Sequence, residues 1–185
     1  MGRLIYSAIT SIDGYVEDAT GAFDWSAPDA EVHTFVNDQE RPVGTHLLGR
    51  RMFETMQVWD DLANFPDPSP EVRDFADVWQ AADKIVYSTT LKKVSNPRTR
   101  LEHRFDPDLV GEMVRASERD VSIGGAALAA QALAAGIVDE VQLYLNPIAV
   151  GGGKPALPAG TRMQLVDERR FAGGVVWVRY ATRPS

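Results

Sequence analysis

Short apolar runs alternate with longer amphipathic segments along most of the chain. Arg3 to Ile9 (Arg-Leu-Ile-Tyr-Ser-Ala-Ile) is apolar enough for a strand buried on both faces. Asp13-Gly14 marks a turn, Tyr15 to Glu17 is short and extended, and Asp18 to Ser26 is a long loop carrying Gly21, Phe23 and Trp25. Pro28 and Asp29 open a helix running to about Gln39, with Val32, Phe35 and Val36 on one face. Thr45 to Gly49 reads as a second strand and Arg50 to Met56 as a helix, while Val58 to Ser69 is irregular. Ser69-Pro70-Glu71 starts another helix, on which Val72, Phe75, Val78 and Trp79 fall at helical spacing and face the core. Asp83 to Ser88 is a third strand, and the polar segment Lys92 to Arg104 holds one short strand. Asp106-Pro107 caps a helix ending near Ser117.

Val121 to Leu133 is the stretch around which the rest is organised. Three residues end a buried strand, Gly124 and Gly125 follow, and an alanine-rich helix begins with almost no connection; Gly136 closes it. Such a junction brings backbone N–H groups to a helix N-terminus, a ready site for a phosphate. Glu140 to Leu145 is a further strand, and Asn146 to Val150 leads into Gly151-Gly152-Gly153. Met163 to Val166 and Val175 to Ala181 read as a late antiparallel pair across Gly173-Gly174. Strands alternating with helices predict one α/β domain over residues 1–185: a three-layer α/β/α sandwich with a mixed, mostly parallel sheet and an antiparallel C-terminal edge.

Composition narrows the function classes. The chain has no cysteine, which excludes disulfides and thiolate metal sites. Its formal net charge of −7 and scattered basic residues argue against nucleic acid as a partner. No apolar run is long enough to span a membrane, and the first residues lack the apolar region of a signal peptide, so a cytoplasmic protein is expected. Gly153-Lys154 is not a P-loop, because Pro155 stands where Ser or Thr is required. No Gly-x-Ser-x-Gly elbow occurs. His33, His46 and His103 lie far apart in sequence, and no metal site is expected. Trp59 with Asp60-Asp61 reads as surface loop.

Three βα junctions carry the candidate chemistry: Gly49-Arg50-Arg51, Ser88-Thr89-Thr90 and Gly124-Gly125-Ala126. All fall at carboxyl ends of strands, where open α/β sheets bind ligands. Together they offer helix N-termini, guanidinium groups and hydroxyls, a set suited to a diphosphate with a further phosphate beside a ribose. Arginine beside a ribose is the usual way to accept the 2′-phosphate of NADP, so the residues point to NADPH.

In this order the segments resemble the dihydrofolate reductase superfamily. Within it they resemble the C-terminal reductase domain of the bacterial riboflavin-biosynthesis deaminase/reductase and its stand-alone relatives. Leu48-Gly49-Arg50-Arg51-Met52-Phe53-Glu54-Thr55 looks like the superfamily's Gly-Arg-x-x-aromatic-Glu-Ser/Thr segment, and Ile85 to Thr90 and Ile123-Gly124-Gly125-Ala126 look like its next two. Val138 to Val141, Asn146-Pro147-Ile148 and Gly151 to Pro155 are nearer the riboflavin-type branch. The resemblance implies a dihydrofolate reductase-like fold and an NADPH-dependent reductase, similar to 5-amino-6-(5-phosphoribosylamino)uracil reductase, that transfers hydride to a small heterocyclic substrate. It also implies a homodimer. By position, Arg50 and Arg51 would face the 2′-phosphate, and Gly49 would open their helix. Ser88, Thr89 and Thr90 would line the adenosine half. Gly124, Gly125, Ala126 and Ala127 would hold the diphosphate. Ala8 and the loop Ser11, Ile12, Asp13 and Gly14 would border the nicotinamide, with Gly151 and Gly152 closing the site. The superfamily's acid aligns with Ala30, which leaves Asp29 and Glu31 as the catalytic candidates, and Asn146 replaces the threonine that partners that acid. Two other readings stay open: a dihydrofolate or pterin reductase, and a non-catalytic NADP(H)-binding protein.

Overall fold

Eight strands form one sheet in the computed structural model, which describes residues 1–182. Six of them run parallel: Leu4–Ser11 (β1), Val43–Gly49 (β3), Asp83–Tyr87 (β4), Thr99–Glu102 (β5), Asp120–Gly124 (β6) and Glu140–Asn146 (β7). Val176–Thr182 (β10) pairs antiparallel with β7, and Met163–Arg170 (β9) pairs antiparallel with β10. The order across the sheet is β5-β4-β3-β6-β1-β7-β10-β9. A separate ribbon joins Tyr15–Asp18 (β2) to Gly153–Pro155 (β8). The expected mixed sheet with an antiparallel C-terminal edge is therefore present.

Strand alternation supplies the sheet with two apolar faces. Leu4, Tyr6, Leu47, Ile85, Val121, Ile123, Val141 and Leu143 point to one face. There Pro107–Ala116 (α4) and Ala126–Ala134 (α5) cover them with Val110, Val114, Leu128, Ala129 and Ala132. On the opposite face Leu48 and Val86 meet Phe53 of Arg50–Met56 (α2) and Phe75 and Trp79 of Pro70–Ala81 (α3). Tyr144 and Trp177 meet Val32 and Phe35 of Ala30–Glu40 (α1) on that same face. The result is the three-layer arrangement.

Local chemistry sets the helix starts. Asp29, Ser69 and Asp106 each accept a backbone N–H of the first turn of α1, α3 and α4, and Pro70 and Pro107 sit just inside α3 and α4. Three expectations change. The late strand does not end at Val166 but continues through Asp167, Glu168, Arg169 and Arg170, since an edge strand tolerates charge where a central one does not. The Val58 to Ser69 stretch is not wholly irregular: it contains single 3₁₀ turns at Gln57–Asp60 and Leu62–Asn64. The ribbon strand β8 has too few residues to show a period. It exists because Gly153, at φ 137°, lets the chain lie against the Glu17 and Asp18 backbone, where a Cβ would come within 2.0 Å of the Glu17 carbonyl oxygen. No helix among the described residues is long and apolar enough to cross a membrane.

Candidate active site

β1 and β6 are neighbours, but their connections leave in opposite directions. The chain after β1 passes through α1 on one face toward β3, and the chain after β6 passes through α5 on the other face toward β7. Between two such strands the sheet opens a crevice at their carboxyl ends. A cleft of about 620 Å³ occupies that place. Ser7, Ala8 and Ile9 of β1 and Ser122 to Gly125 at the end of β6 form its floor. Val36, Trp59 and Phe75 form an apolar wall, and Arg51 and Lys154 stand among its charged lining.

The three βα junctions lie side by side, as the adjacency of β4, β3 and β6 requires. Gly49 is registered with Tyr87, one residue before Ser88, and Leu48 with Gly124. Gly125 is the residue before α5 and takes φ 96°. The amides of Leu128 and Ala129 bond to its carbonyl oxygen, so the first-turn amides of Ala126 and Ala127 precede the helical ladder. A Cβ at Gly124 would press on Leu48 and Met52 at 3.0 and 3.1 Å, so this glycine lets α2 pack closely against the junction. Arg50 donates from Nη1 to Thr90 Oγ1 at 2.9 Å and pairs through Nε with Glu54 at 2.7 Å. Ser88 Oγ accepts from the Thr90 and Leu91 amides. Arg51 reaches Glu17 at 3.8 Å and is otherwise exposed. The cleft thus has an apolar body and a helix N-terminus in its floor, and the arginine–hydroxyl cluster lies at the neighbouring strand ends.

The flanking loops are joined to each other. Asp13 accepts the amides of Val150 at 3.1 Å and Gly151 at 2.7 Å, and these bonds hold its carboxyl below the usual carboxylate range, after the larger effect of Ser11. Gly14 turns the chain at φ 89°, and its amide bonds to the Ser11 carbonyl. Open space surrounds the Gly14, Gly151 and Gly152 Cα atoms. Ser11 is buried, with its hydroxyl bonded to Tyr15 across the turn, and Ile12 is exposed.

Asp29 and Glu31, the acids the resemblance implies, are not among the residues that line the cleft. Asp29 caps α1 by accepting the Val32 amide, and Glu31 accepts the Ala172 amide at 3.0 Å and pairs with Arg169. The Glu31 carboxylate thus serves the β9–β10 hairpin, and that of Asp29 the start of its own helix. The acids that line the cleft are Glu17, Asp24 and Glu40, the last residue of α1. His33 and His46, widely separated in sequence, also meet in the lining. Trp59 is likewise not a surface residue: it lies over Phe65 and meets Phe75 and His33 edge-on. Neighbouring Asp60 accepts Trp79 Nε1 at 2.7 Å. One sequence signal was available for these groups: His33, Val36 and Glu40 fall at i, i+3 and i+7 on one helix face.

This topology and cleft define a dihydrofolate reductase-like α/β protein. The dihydrofolate reductase of Enterococcus faecalis, solved with NADP(H), shares the fold at a TM-score of 0.62, with 13% identity, 99% of this chain and 98% of that one. The chain belongs to the family of the RibD C-terminal domain, whose model matches residues 3–177. A putative riboflavin biosynthesis protein from Shewanella superposes with a TM-score of 0.74 at 20% identity, covering 98% of this chain and 99% of that one. An uncharacterised Bacillus subtilis protein, YyaP, is 26% identical over 96% of this chain and 94% of its own.

Proposed function

We propose that this protein is an NADPH-dependent reductase of a small heterocyclic substrate, resembling 5-amino-6-(5-phosphoribosylamino)uracil reductase. One observation carries the reading: the Gly49-Arg50, Ser88-Thr89-Thr90 and Gly124-Gly125 junctions lie side by side at adjacent strand ends, and Gly124, Gly125 and Arg51 line the cleft there. The residues fit the cofactor. Gly125, at φ 96°, and the small Ala126 and Ala127 let a diphosphate come close to first-turn amides. Arg50, already oriented by Glu54 and Thr90, provides a guanidinium for a 2′-phosphate. Arg51, Gly49, Ser88 and Thr89 complete that end. Ala8 and the Ser11 to Gly14 loop, tied by Asp13 to Gly151 and Gly152, border the nicotinamide end. When bound, NADPH supplies a hydride to a C=N or C=O carbon of the substrate. The protein's part is to hold the two rings together and exclude water.

Thermal stabilisation of ligand-free protein by NADPH and by NADH tests the reading. A marked rise in Tm with NADPH and little with NADH is expected. Arg50→Ala is expected to weaken NADPH by about 1.5–3 kcal/mol and NADH far less, because it removes a charge-assisted contact. Equal losses for both would remove Arg50 from the 2′-phosphate. Stabilisation by NADPH without turnover of any pyrimidine or pterin would instead indicate a nucleotide-binding protein.

A further inference from the structure

Charge is distributed unevenly around the cleft. Glu17, Asp24 and Glu40 line it, and among the described residues Arg51 and Lys154 are the lysine and arginine in the lining. Both cations stand at one corner. Arg51 Nη1 is 3.8 Å from Glu17 Oε1, and Lys154 is registered with Glu17 across the β2–β8 ribbon. Arg51 follows Arg50, the candidate for the cofactor's 2′-phosphate, at the start of α2. Away from that corner the charged lining is acidic. Asp24 is exposed at the rim, and the Glu40 side chain, only 16% exposed, lies inside.

The other polar groups do not offset these acids. His33 and His46 also line the cleft, and burial holds both below the usual histidine range, His46 at about 3, so both are neutral near pH 7. Two further cations stand behind the wall and not in the lining. Lys84 is buried with its ammonium 4.8 Å from the centre of the Trp79 ring. Arg119 donates to the carbonyl oxygens of Arg41, Pro42 and Val43.

We propose that the substrate is an uncharged planar heterocycle without a phosphate group, and that Asp24 and Glu40 set this specificity. The proposal rests on reading the cleft as a reductase site. Trp59 and Phe75, edge-on to each other at 4.6 Å in the wall, give apolar ring surface to such a heterocycle. A phosphate tethered to the ring would have two places to go. Toward the inner end it would lose water beside the Glu40 carboxyl, with no lining cation to replace that water. Toward the rim it would meet Asp24. The Arg51–Lys154 corner is closed to it once the cofactor's own phosphates have taken up the positive charge there. Apolar walls strengthen the field of the two acids, so the cleft admits the neutral ring and rejects the same ring as an anion. The hydride chemistry is that of the reductase this protein resembles; the substrate departs from that enzyme's phosphoribosyl compound.

Riboflavin and its 5′-phosphate ester are the probe pair, since they share one planar ring and differ by a single phosphate. Each is titrated into the intact protein by fluorescence polarisation, with saturating NADP⁺ to occupy the cofactor's phosphate sites. The titration is run at about pH 8, above the value of about 7 to which burial raises the Glu40 carboxyl. Riboflavin is expected to bind more tightly than the ester by about tenfold or more. In Asp24→Asn combined with Glu40→Gln the ratio is expected to shrink, through tighter binding of the ester. Equal affinities, a preference for the ester, or no binding of riboflavin would each overturn the proposal. An unchanged ratio in the folded double variant would overturn the part given to the two acids. Should that variant not fold, Asp24→Asn alone, at the exposed rim, replaces it. Thermal stabilisation by NADPH on the same protein separates the two claims. Its absence beside a preference for riboflavin overturns the reductase reading and keeps the neutral-ring cleft, whereas its presence beside a preference for the ester overturns only the present inference.

Discussion

Glu40 and His46 give opposite signs to the pH dependence of stability, and Glu40→Gln separates them. Burial moves the Glu40 carboxyl from 4.5 to about 7 in the native state, so the folded protein holds that proton more tightly than the unfolded chain. Its contribution is fully favourable below pH 4.5 and is lost as pH rises through about 7. Above that the buried charge costs about 3 kcal/mol, at about 1.4 kcal/mol for each pH unit. That figure is an upper one, because the side chain is 16% exposed to water. His46 behaves in the reverse sense. Its native value falls from 6.5 to about 3, so the stability it contributes is present above 6.5 and is lost as pH falls toward 3. Between 4.5 and 6.5 the two slopes oppose each other in the wild type. Urea denaturation of wild type and Glu40→Gln from about pH 4.5 to about pH 8 isolates the carboxyl, since every other titrating group is common to both. The variant is expected to be about 2–3 kcal/mol more stable at about pH 8, with the advantage fading as pH falls below about 5. A difference that does not change with pH would refute the reasoning, because it would mean that Glu40 titrates alike in the folded and unfolded chain.

Two glycines test the backbone of the site. Gly125→Ala forces a side chain onto a φ of 96°, with its Cβ 3.5 Å from that of Met52. A loss of about 1–3 kcal/mol in chemical denaturation is expected, together with weaker NADPH stabilisation; unchanged values would show that the βα turn relaxes freely. Gly153→Ala places a Cβ 2.0 Å from the Glu17 carbonyl oxygen, so the β2–β8 ribbon must part. Faster amide exchange at Glu17 and Asp18 is expected, and retained protection there would refute the need for glycine.

Features written in local chemistry were legible in the sequence. Asp29, Ser69-Pro70 and Asp106-Pro107 announce helix starts within a few residues, and each cap hydrogen bond is present. The glycine pair after β6 and the arginine after β3 mark junctions whose proximity follows once the strands are ordered. The groups at the buried end of the cleft were not legible. His46 and Ser122 are separated by 76 residues and become neighbours only because β6 inserts between β3 and β1. In sequence each is an isolated polar residue in an apolar strand, the pattern of a defect rather than of a site.

That Glu31 faces away from the cleft has a geometric explanation. The superfamily resemblance points to an acid near Ala30, and Asp29 and Glu31 are the carboxylates there. A helix turns once in about 3.6 residues, so Glu31 and Glu40 are separated by about two and a half turns and lie on opposite sides of α1. His33 and Glu40 are separated by almost two full turns and lie in line. Glu31, on the outer side, bonds to the hairpin between β9 and β10. His33, Val36 and Glu40 form a stripe beside the apolar one of Val32 and Phe35, turned toward the sheet and into the cleft. In a sequence that second stripe looks like solvent-facing polarity. What distinguishes it is that its polar members face strands which carry His46 and Ser122 beside the apolar Leu48 and Val86.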